Sequence, residues 1–465
     1  MTTMRTLLAW ACLLVPVAAA DAATTVMLGR PTHESITANV RPDSAVEAYI
    51  EYGTASGTYE LRTSTVTMAA DEPVEMLIDR LTADRRYFYR LRHRPARSGG
   101  EFQSDAEHSF QTQRAPGSPF QFAVQGDSHP ERENNMFHPE LYRRTLDAVA
   151  ADRPDFYVTS GDDFSVDTLR TWTDATVTAR YTLQVPYLAR VAQSSPIFLV
   201  NGNHEQAARY LLDGTANNVA VWAQNARNRF FPQPGPDGFY SGNTEVVPHI
   251  GLLRNYYAWE WGDALFVVID PYWSSSVAVD GGLGGRGTKP ANKWDITHGD
   301  DQYRWLKQTL ERSRAKWKFV FAHHVLGTGR GGVEVANEFE WGGRNANGNW
   351  GLDQNRPRWG QSIHQLFVAN GVTIFFQGHD HLFARQELDG VIYQSVPNPA
   401  DNTYTAFNDD AYRSGTVLPN AGYLRVNVAA DGVRVEYVRE FLPQDESPAQ
   451  RSGSVAFSYS VSLRR

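Results

Sequence analysis

Five short apolar runs in this chain each break off into a small group of Asp, Asn or His, and no other feature constrains the fold as tightly. Phe122-Ala123-Val124-Gln125 leads into Gly126-Asp127-Ser128-His129, and Phe156-Tyr157-Val158 leads through Thr159-Ser160 into Gly161-Asp162-Asp163. Ile197-Phe198-Leu199-Val200 leads through Asn201 into Gly202-Asn203-His204-Glu205. Phe319-Val320-Phe321-Ala322 leads into His323-His324, and Thr373-Ile374-Phe375-Phe376-Gln377 into Gly378-His379-Asp380-His381. Short runs rich in aromatic and branched residues read as buried strands. Helical patterns lie between them: 300–315 puts Tyr303, Leu306 and Leu310 on one face, and 359–370 does the same with Trp359, Ile363, Leu366 and Phe367. Strands alternating with helices predict an α/β layered domain, and such sheets bind ligands beyond the carboxyl ends of their strands. In four of the five blocks a glycine directly precedes the first polar residue, which permits a sharp turn and keeps bulk out of a crowded site.

The residue types point to metal chemistry. Carboxylate, amide oxygen and imidazole together suit Mn, Fe, Zn or a mixed pair. A carboxylate can bridge two cations and hold them ~3.5–4 Å apart, as two-metal hydrolytic sites need. Asp127 with His129, and His379 with His381, are two apart and share a face in an extended segment. Taken singly, an Asp-x-His or a Gly-Asp-Asp is a common loop; five blocks in this order, each at a strand end, predict a dinuclear site. Asp163 and Asp380 are near enough in sequence to fix the tautomers of ligating histidines, the alternative being simple turn residues.

The remaining chain sets the context. Residues 1–22 read as a secretory signal, with Arg5, an apolar stretch from Leu7 to Val17 and the cleavage pattern Ala20-Asp21-Ala22. The single cysteine, Cys12, falls inside it. A mature chain without cysteine has neither disulfides nor thiolate ligands. The expected location is secreted or periplasmic, with no membrane span. Residues 24–113 read as an all-β sandwich of immunoglobulin or fibronectin type: Glu47–Tyr52 and Tyr87–Arg92 are strand-like, and Leu81 followed by Tyr87 has the form of a tyrosine corner. Arg114-Ala115-Pro116-Gly117-Ser118-Pro119 is a linker, 119–445 the catalytic domain and 446–465 a C-terminal β segment. Asp431-Gly432 marks a hairpin between 424–428 and 433–437. Net charge is −8 with no long Lys/Arg run, which argues against a nucleic-acid-binding surface.

On these blocks, the chain from about 119 to 400 resembles the calcineurin-like metallophosphoesterases. The sandwich in front is similar to the N-terminal domain of purple acid phosphatases, and Asn255–Gly262 followed by Leu265–Asp270 resembles a strand pair of the family. The expected fold is a two-sheet sandwich flanked by helices. The resemblance implies that Asp127, His129, Asp162 and His381 hold one metal, and Asp162, Asn203, His323 and His379 the other, with Asp162 bridging; His324 is the alternative to His323. The ions would be Mn, Fe, Zn or Mg. His204 would be the general acid or a charge stabiliser. Purple acid phosphatases carry a colour-giving tyrosine shortly after the second-block aspartate; Asp162-Asp163-Phe164-Ser165 has none, and His129 stands in the first block instead.

The function this implies is a secreted phosphohydrolase that cleaves small-molecule phosphate esters by attack of metal-activated hydroxide. Alternatives are a phosphodiesterase acting on nucleotides or phospholipid head groups, and an inactive scaffold serving as a binding protein. The Gly-, Asn- and Arg-rich segment 325–358 is expected to be a long functional loop. Arg330 and Arg344 are its candidate phosphate contacts, and Glu338, Glu340 and Trp341 its candidate cleft lining. His138 and His298 are expected to be unrelated to the site.

Overall fold

A computed structural model describes residues 24–279, 282–283, 292–326 and 329–463. The signal read over residues 1–22, with Cys12, lies outside the described residues. Among the described residues no helix is long and apolar enough to cross a membrane.

The N-terminal region is two packed sheets. One pairs Thr25–Gly29, Ile36–Arg41 and Val74–Ile78; the other centres on Val46–Gly53 against Arg86–Pro95. Arg86–Pro95 alternates buried and half-buried residues along its length, the period expected of a strand with one covered face. Leu28, Ile36, Val40, Ile50, Tyr52, Ile78 and Tyr89 fill the space between the sheets. The Thr82 amide donates to the Tyr87 hydroxyl at 3.0 Å, five residues upstream of the tyrosine. The region docks on the side of the following domain through Tyr89, whose hydroxyl donates to Gln193 O, and Asn39, whose amide donates to Arg229 O.

From Phe120 onward the chain forms two sheets packed face to face. The first has six strands in the order Ile197–Leu199, Phe156–Thr159, Phe120–Gln125, Gly422–Val428, Gly432–Arg439, Ser454–Ser462. The second has eight, with Ala264–Val268, Trp317–Phe321, Ile374–Gln377 and Val391–Ser395 parallel at its centre. The core between the sheets is aromatic: Phe122 stacks on Phe156 at 5.4 Å and meets Phe266 edge-on at 5.2 Å. Helices Pro139–Asp152, Asp174–Thr182, Val185–Ala192 and Val219–Phe230 supply the apolar layer outside the first sheet. Asp300–Arg312 and Ile363–Ala369 supply the one outside the second. The hairpin expected around Asp431-Gly432 is present, and Val433 pairs with Val428. The C-terminal segment adds Ser454–Ser462 to the edge of the first sheet.

Two expectations need correction. The helix read over 359–370 begins only at Ile363. Ser362 caps it, its hydroxyl accepting from the Gln365 amide while Gln365 reaches back to Ser362 N; Trp359 lies before the cap and stacks on Tyr303 at 3.9 Å. Segment 325–358 is not an open loop. It contains two one-turn helices, Phe339–Gly342 and Leu352–Asn355, and buries Ala336, Phe339, Trp341 and Leu352 in the outer core.

Candidate metal centre

The five polar blocks meet at one edge of the sandwich. Three follow neighbouring parallel strands of the first sheet, Phe120–Gln125, Phe156–Thr159 and Ile197–Leu199; two follow Trp317–Phe321 and Ile374–Gln377 of the second. Sheet packing therefore brings residues more than 250 positions apart into one cluster.

Asp162 sits at its centre. Its Oδ2 lies 3.0 Å from His323 Nε2, 3.7 Å from His204 Nε2 and 3.8 Å from His129 Nε2. Asp127 Oδ2 lies 3.0 Å from His381 Nε2 and 3.9 Å from both His129 Nε2 and His323 Nε2. His379 Nδ1 is 3.3 Å from His323 Nε2. Side-chain donors of Asp127, His129 and His381 form one compact group and those of Asp127, Asp162 and His323 another; His323, His324 and His379 form a third. Among the described residues, His129 Nε2 and Asn203 Oδ1 are buried without a hydrogen-bond partner. His129 Nε2, within 4 Å of the Asp127 and Asp162 carboxylates, is an unpartnered ligand atom of the kind that fits a cation.

The backbone builds this arrangement at some cost. His129, Asp162, His379 and His381 all have left-handed φ, between 47° and 68°, which costs roughly 1–2 kcal/mol for a residue with a Cβ. Backbone amides fix the carboxylates: His204 N donates to Asp162 Oδ1 at 3.0 Å, and His379 N to Asp127 Oδ1 at 2.7 Å. Two block glycines have steric reasons. A Cβ at Gly202 would collide with Asp162 Oδ1, and one at Gly378 with Asp127 Oδ1. Glu205 closes the second and third blocks together, accepting from Asp163 N and from Gly202 N.

Charge follows geometry. Burial pushes His129 down to about 4, leaving a neutral imidazole suited to ligation. Burial works against ionising Asp127, but His323 and His381 overcome it and hold its carboxyl well below the usual range. Burial likewise opposes a charge on His323, yet Asp162 and Asp127 raise it to about 10. The two carboxylates thus draw positive charge to the point between them.

Hydrogen bonds orient the histidines, but not from the residues expected. Among the described residues Asp163 pairs with no histidine; its Oδ1 accepts from Gln125 and Ser128, and burial raises it to about 7. Asp380 accepts from Gly331 N, Tyr412 Oη and Arg330. Instead His129 Nδ1 meets Ser165 Oγ at 2.9 Å, His323 Nδ1 the carbonyl of Ser160 at 2.8 Å, and His204 Nδ1 the Asp167 carboxylate at 2.7 Å. Ser165 lies three residues beyond Asp162 and holds His129. His324 Nδ1 turns to the Tyr272 hydroxyl at 2.7 Å, and its ring stacks on His379 at 4.0 Å.

Of the remaining candidates, Arg330 borders the site and donates to His379 O and Asp380 Oδ1. Arg344 does not: it is exposed and donates to Gly348 O in its own loop. Glu340 and Trp341 line no cleft. Glu340 is fully buried between His298 and Arg356, and Trp341 donates to the Tyr393 hydroxyl inside the core. Glu338 is half-buried in the same segment. His298 belongs to that buried pair, and His138 precedes helix Pro139–Asp152. Sequence reasoning missed Arg132, whose guanidinium lies 3.2 Å from His204 Nε2, and Asp167.

Set beside known proteins, residues 120–383 match the sequence model of the calcineurin-like phosphoesterase family. The chain belongs to that family. No curated protein sequence matches it. Among solved structures, this phosphoesterase is similar to PhoD, with a TM-score of 0.64 at 15% identity over 94% of this chain and 90% of that one. It is also similar to purple acid phosphatase PPD1 from yellow lupin (Lupinus luteus) seeds, with a TM-score of 0.59 at 16% identity over 95% of this chain and 74% of that one. Both likenesses extend through the N-terminal sheets. The chain is a phosphoesterase hydrolase with Asp/His clusters able to hold metal ions.

Proposed function

We infer that the protein hydrolyses phosphate esters at a two-metal site centred on Asp162. The observation that carries this reading is the position of Asp162 Oδ2, within 4 Å of imidazole nitrogens from His129, His204 and His323. Asp127, His129, Asp162 and His381 would hold one ion; Asp162, Asn203, His323 and His379 would hold the other. Mn, Fe and Zn suit such mixed oxygen and imidazole ligands, and Mg, which favours oxygen, suits them least. Bound there, the two ions would neutralise phosphoryl oxygens and make water a nucleophile at neutral pH.

The chain's own residues supply the rest. His204 serves as proton donor to the leaving oxygen. Burial opposes its charge, but Asp162 and Asp167 raise its pKa above the usual value, which favours the imidazolium a general acid requires. Asp167 on Nδ1 fixes which nitrogen faces the substrate. Arg132 beside Nε2 presents a guanidinium suited to a phosphoryl oxygen. Glu131, paired with Arg132 and Arg180, steadies that arginine.

The signal-like residues 1–22 support a secreted or periplasmic setting. The test is hydrolysis of p-nitrophenyl phosphate and bis(p-nitrophenyl) phosphate by metal-loaded wild type and Asp162→Ala. Loss of both activities in the variant supports the reading; retained activity overturns it.

A further inference from the structure

Phe407 leaves nearly half of its surface in water, 48%. Single exposed hydrophobic residues are common on proteins, but this one has a particular place. Its ring meets His381 edge-on, centroids 5.7 Å apart and planes at 86°. The segment that carries it is held firmly to the metal-binding block. Asn408 Nδ2 donates to Asp380 O at 3.0 Å, and Tyr412 Oη donates to Asp380 Oδ2 at 2.6 Å. Further back, Asn420 N donates to Thr405 O. The Tyr412 hydroxyl also meets Ser395 Oγ, at the end of a central strand of the second sheet. The segment that carries the exposed ring is thus tied to Asp380 on its C-terminal side, through Asn408 and Tyr412, and to Asn420 on its N-terminal side, through Thr405.

Polar groups continue from His381 through the cluster. His129 stands between the two sides of the cluster, its ring 5.1 Å from His381 and 5.2 Å from His204. Beyond His204 come Asp167 and the Arg132 guanidinium. The order across the site is therefore Arg132, His204, His129, His381, Phe407. A cation and a proton donor flank one side and a flat apolar face the other. A phosphoryl group at the cluster puts the attached organic group within reach of Phe407.

We propose that Phe407 is a stacking platform for a planar aromatic ring borne by the substrate, so that the preferred esters are phosphates of ring-bearing alcohols or phenols. This rests on the reading of the cluster as a phosphoester site. A phenyl ester places its ring directly beside the phosphorus; a nucleoside monophosphate reaches the same face across its sugar. Both present the same planar π surface, and edge or offset stacking on Phe407 strengthens binding beyond plain apolar burial.

The experiment has a binding arm and a turnover arm, each on metal-loaded full-length protein. Phenylphosphonate and methylphosphonate are titrated calorimetrically into wild type, Phe407→Ala, Phe407→Leu and Phe407→Trp. The preference for the phenyl ligand is expected to fall about tenfold in the Ala and Leu variants and to persist in the Trp variant. Turnover of phenyl phosphate, adenosine 5′-monophosphate and methyl phosphate then tells which ring source uses the platform. An equal change for methyl and phenyl ligands, no change in either, or full retention by the Leu variant would overturn the proposal. If wild type hydrolyses no ester, the catalytic reading fails, and the binding arm still decides the role of Phe407.

Discussion

Asp162 and His204 make different contacts at the centre of this cluster, and those contacts separate the roles proposed for them. Asp162 reaches imidazoles from three blocks, whereas His204 Nδ1 is committed to Asp167 and its Nε2 faces Arg132. His204→Ala should lower turnover by roughly 10²–10⁴ while metal content, read by elemental analysis, stays near that of wild type. Asp167→Asn should lower kcat in the same direction and move the basic limb of the kcat profile to lower pH, because the carboxylate that raises the His204 pKa is gone. The Asp and His positions of this site were legible in the sequence because each follows its own apolar run. Arg132 and Asp167 were not, since their roles depend on contacts with His204 across 72 and 37 residues. Asp163 misled for the converse reason: adjacency to Asp162 suggested a histidine partner, while its side chain points to Gln125 and Ser128.

At the scale of elements, the parallel strands were readable from composition, and 325–358 was not. Its Gly, Asn and Arg content hides a short buried path through Ala336, Phe339 and Trp341. What holds that path is an ionic clamp: Glu340 accepts from His298 N, pairs with His298 Nδ1 at 2.8 Å and accepts from Arg356 Nε at 2.8 Å. Glu340→Ala removes the acceptor of the buried His298 and the carboxylate facing the partly buried Arg356, and should destabilise the fold by about 3–5 kcal/mol in urea unfolding. Burial opposes ionising Glu340, but the His298 bond and the Arg356 charge lower its pKa below 4.5. The carboxylate's contribution is therefore present at neutral pH and lost as pH falls through that lowered value. The stability gap between wild type and variant should narrow on acidification below 4.5.

Over the whole molecule, two sheets with helices outside were predictable from the alternation of strand and helix patterns. The docking of the N-terminal sheets was not, since it joins segments far apart in sequence: Met27 packs into the helix layer of the first sheet, and Tyr89 bonds Gln193. The last strand, Ser454–Ser462, closes the first sheet beside Glu440, which accepts from Gly453 N at 3.0 Å. Burial raises the Glu440 carboxyl to about 7. The folded state therefore binds this proton more tightly than the unfolded state, and stability falls as pH rises from about 4.5 to 7. Glu440→Gln should gain about 1–3 kcal/mol over wild type at pH 8 and little at pH 4, measured by thermal unfolding. The central claim remains that strand ends from two sheets converge to hold two ions on one shared carboxylate. Elemental analysis of purified wild type and Asp162→Ala tests it most directly. About two equivalents of transition metal per wild-type chain, falling to one or none in the variant, is the predicted result; a wild type with no bound metal, or a variant that keeps its full complement, would contradict it.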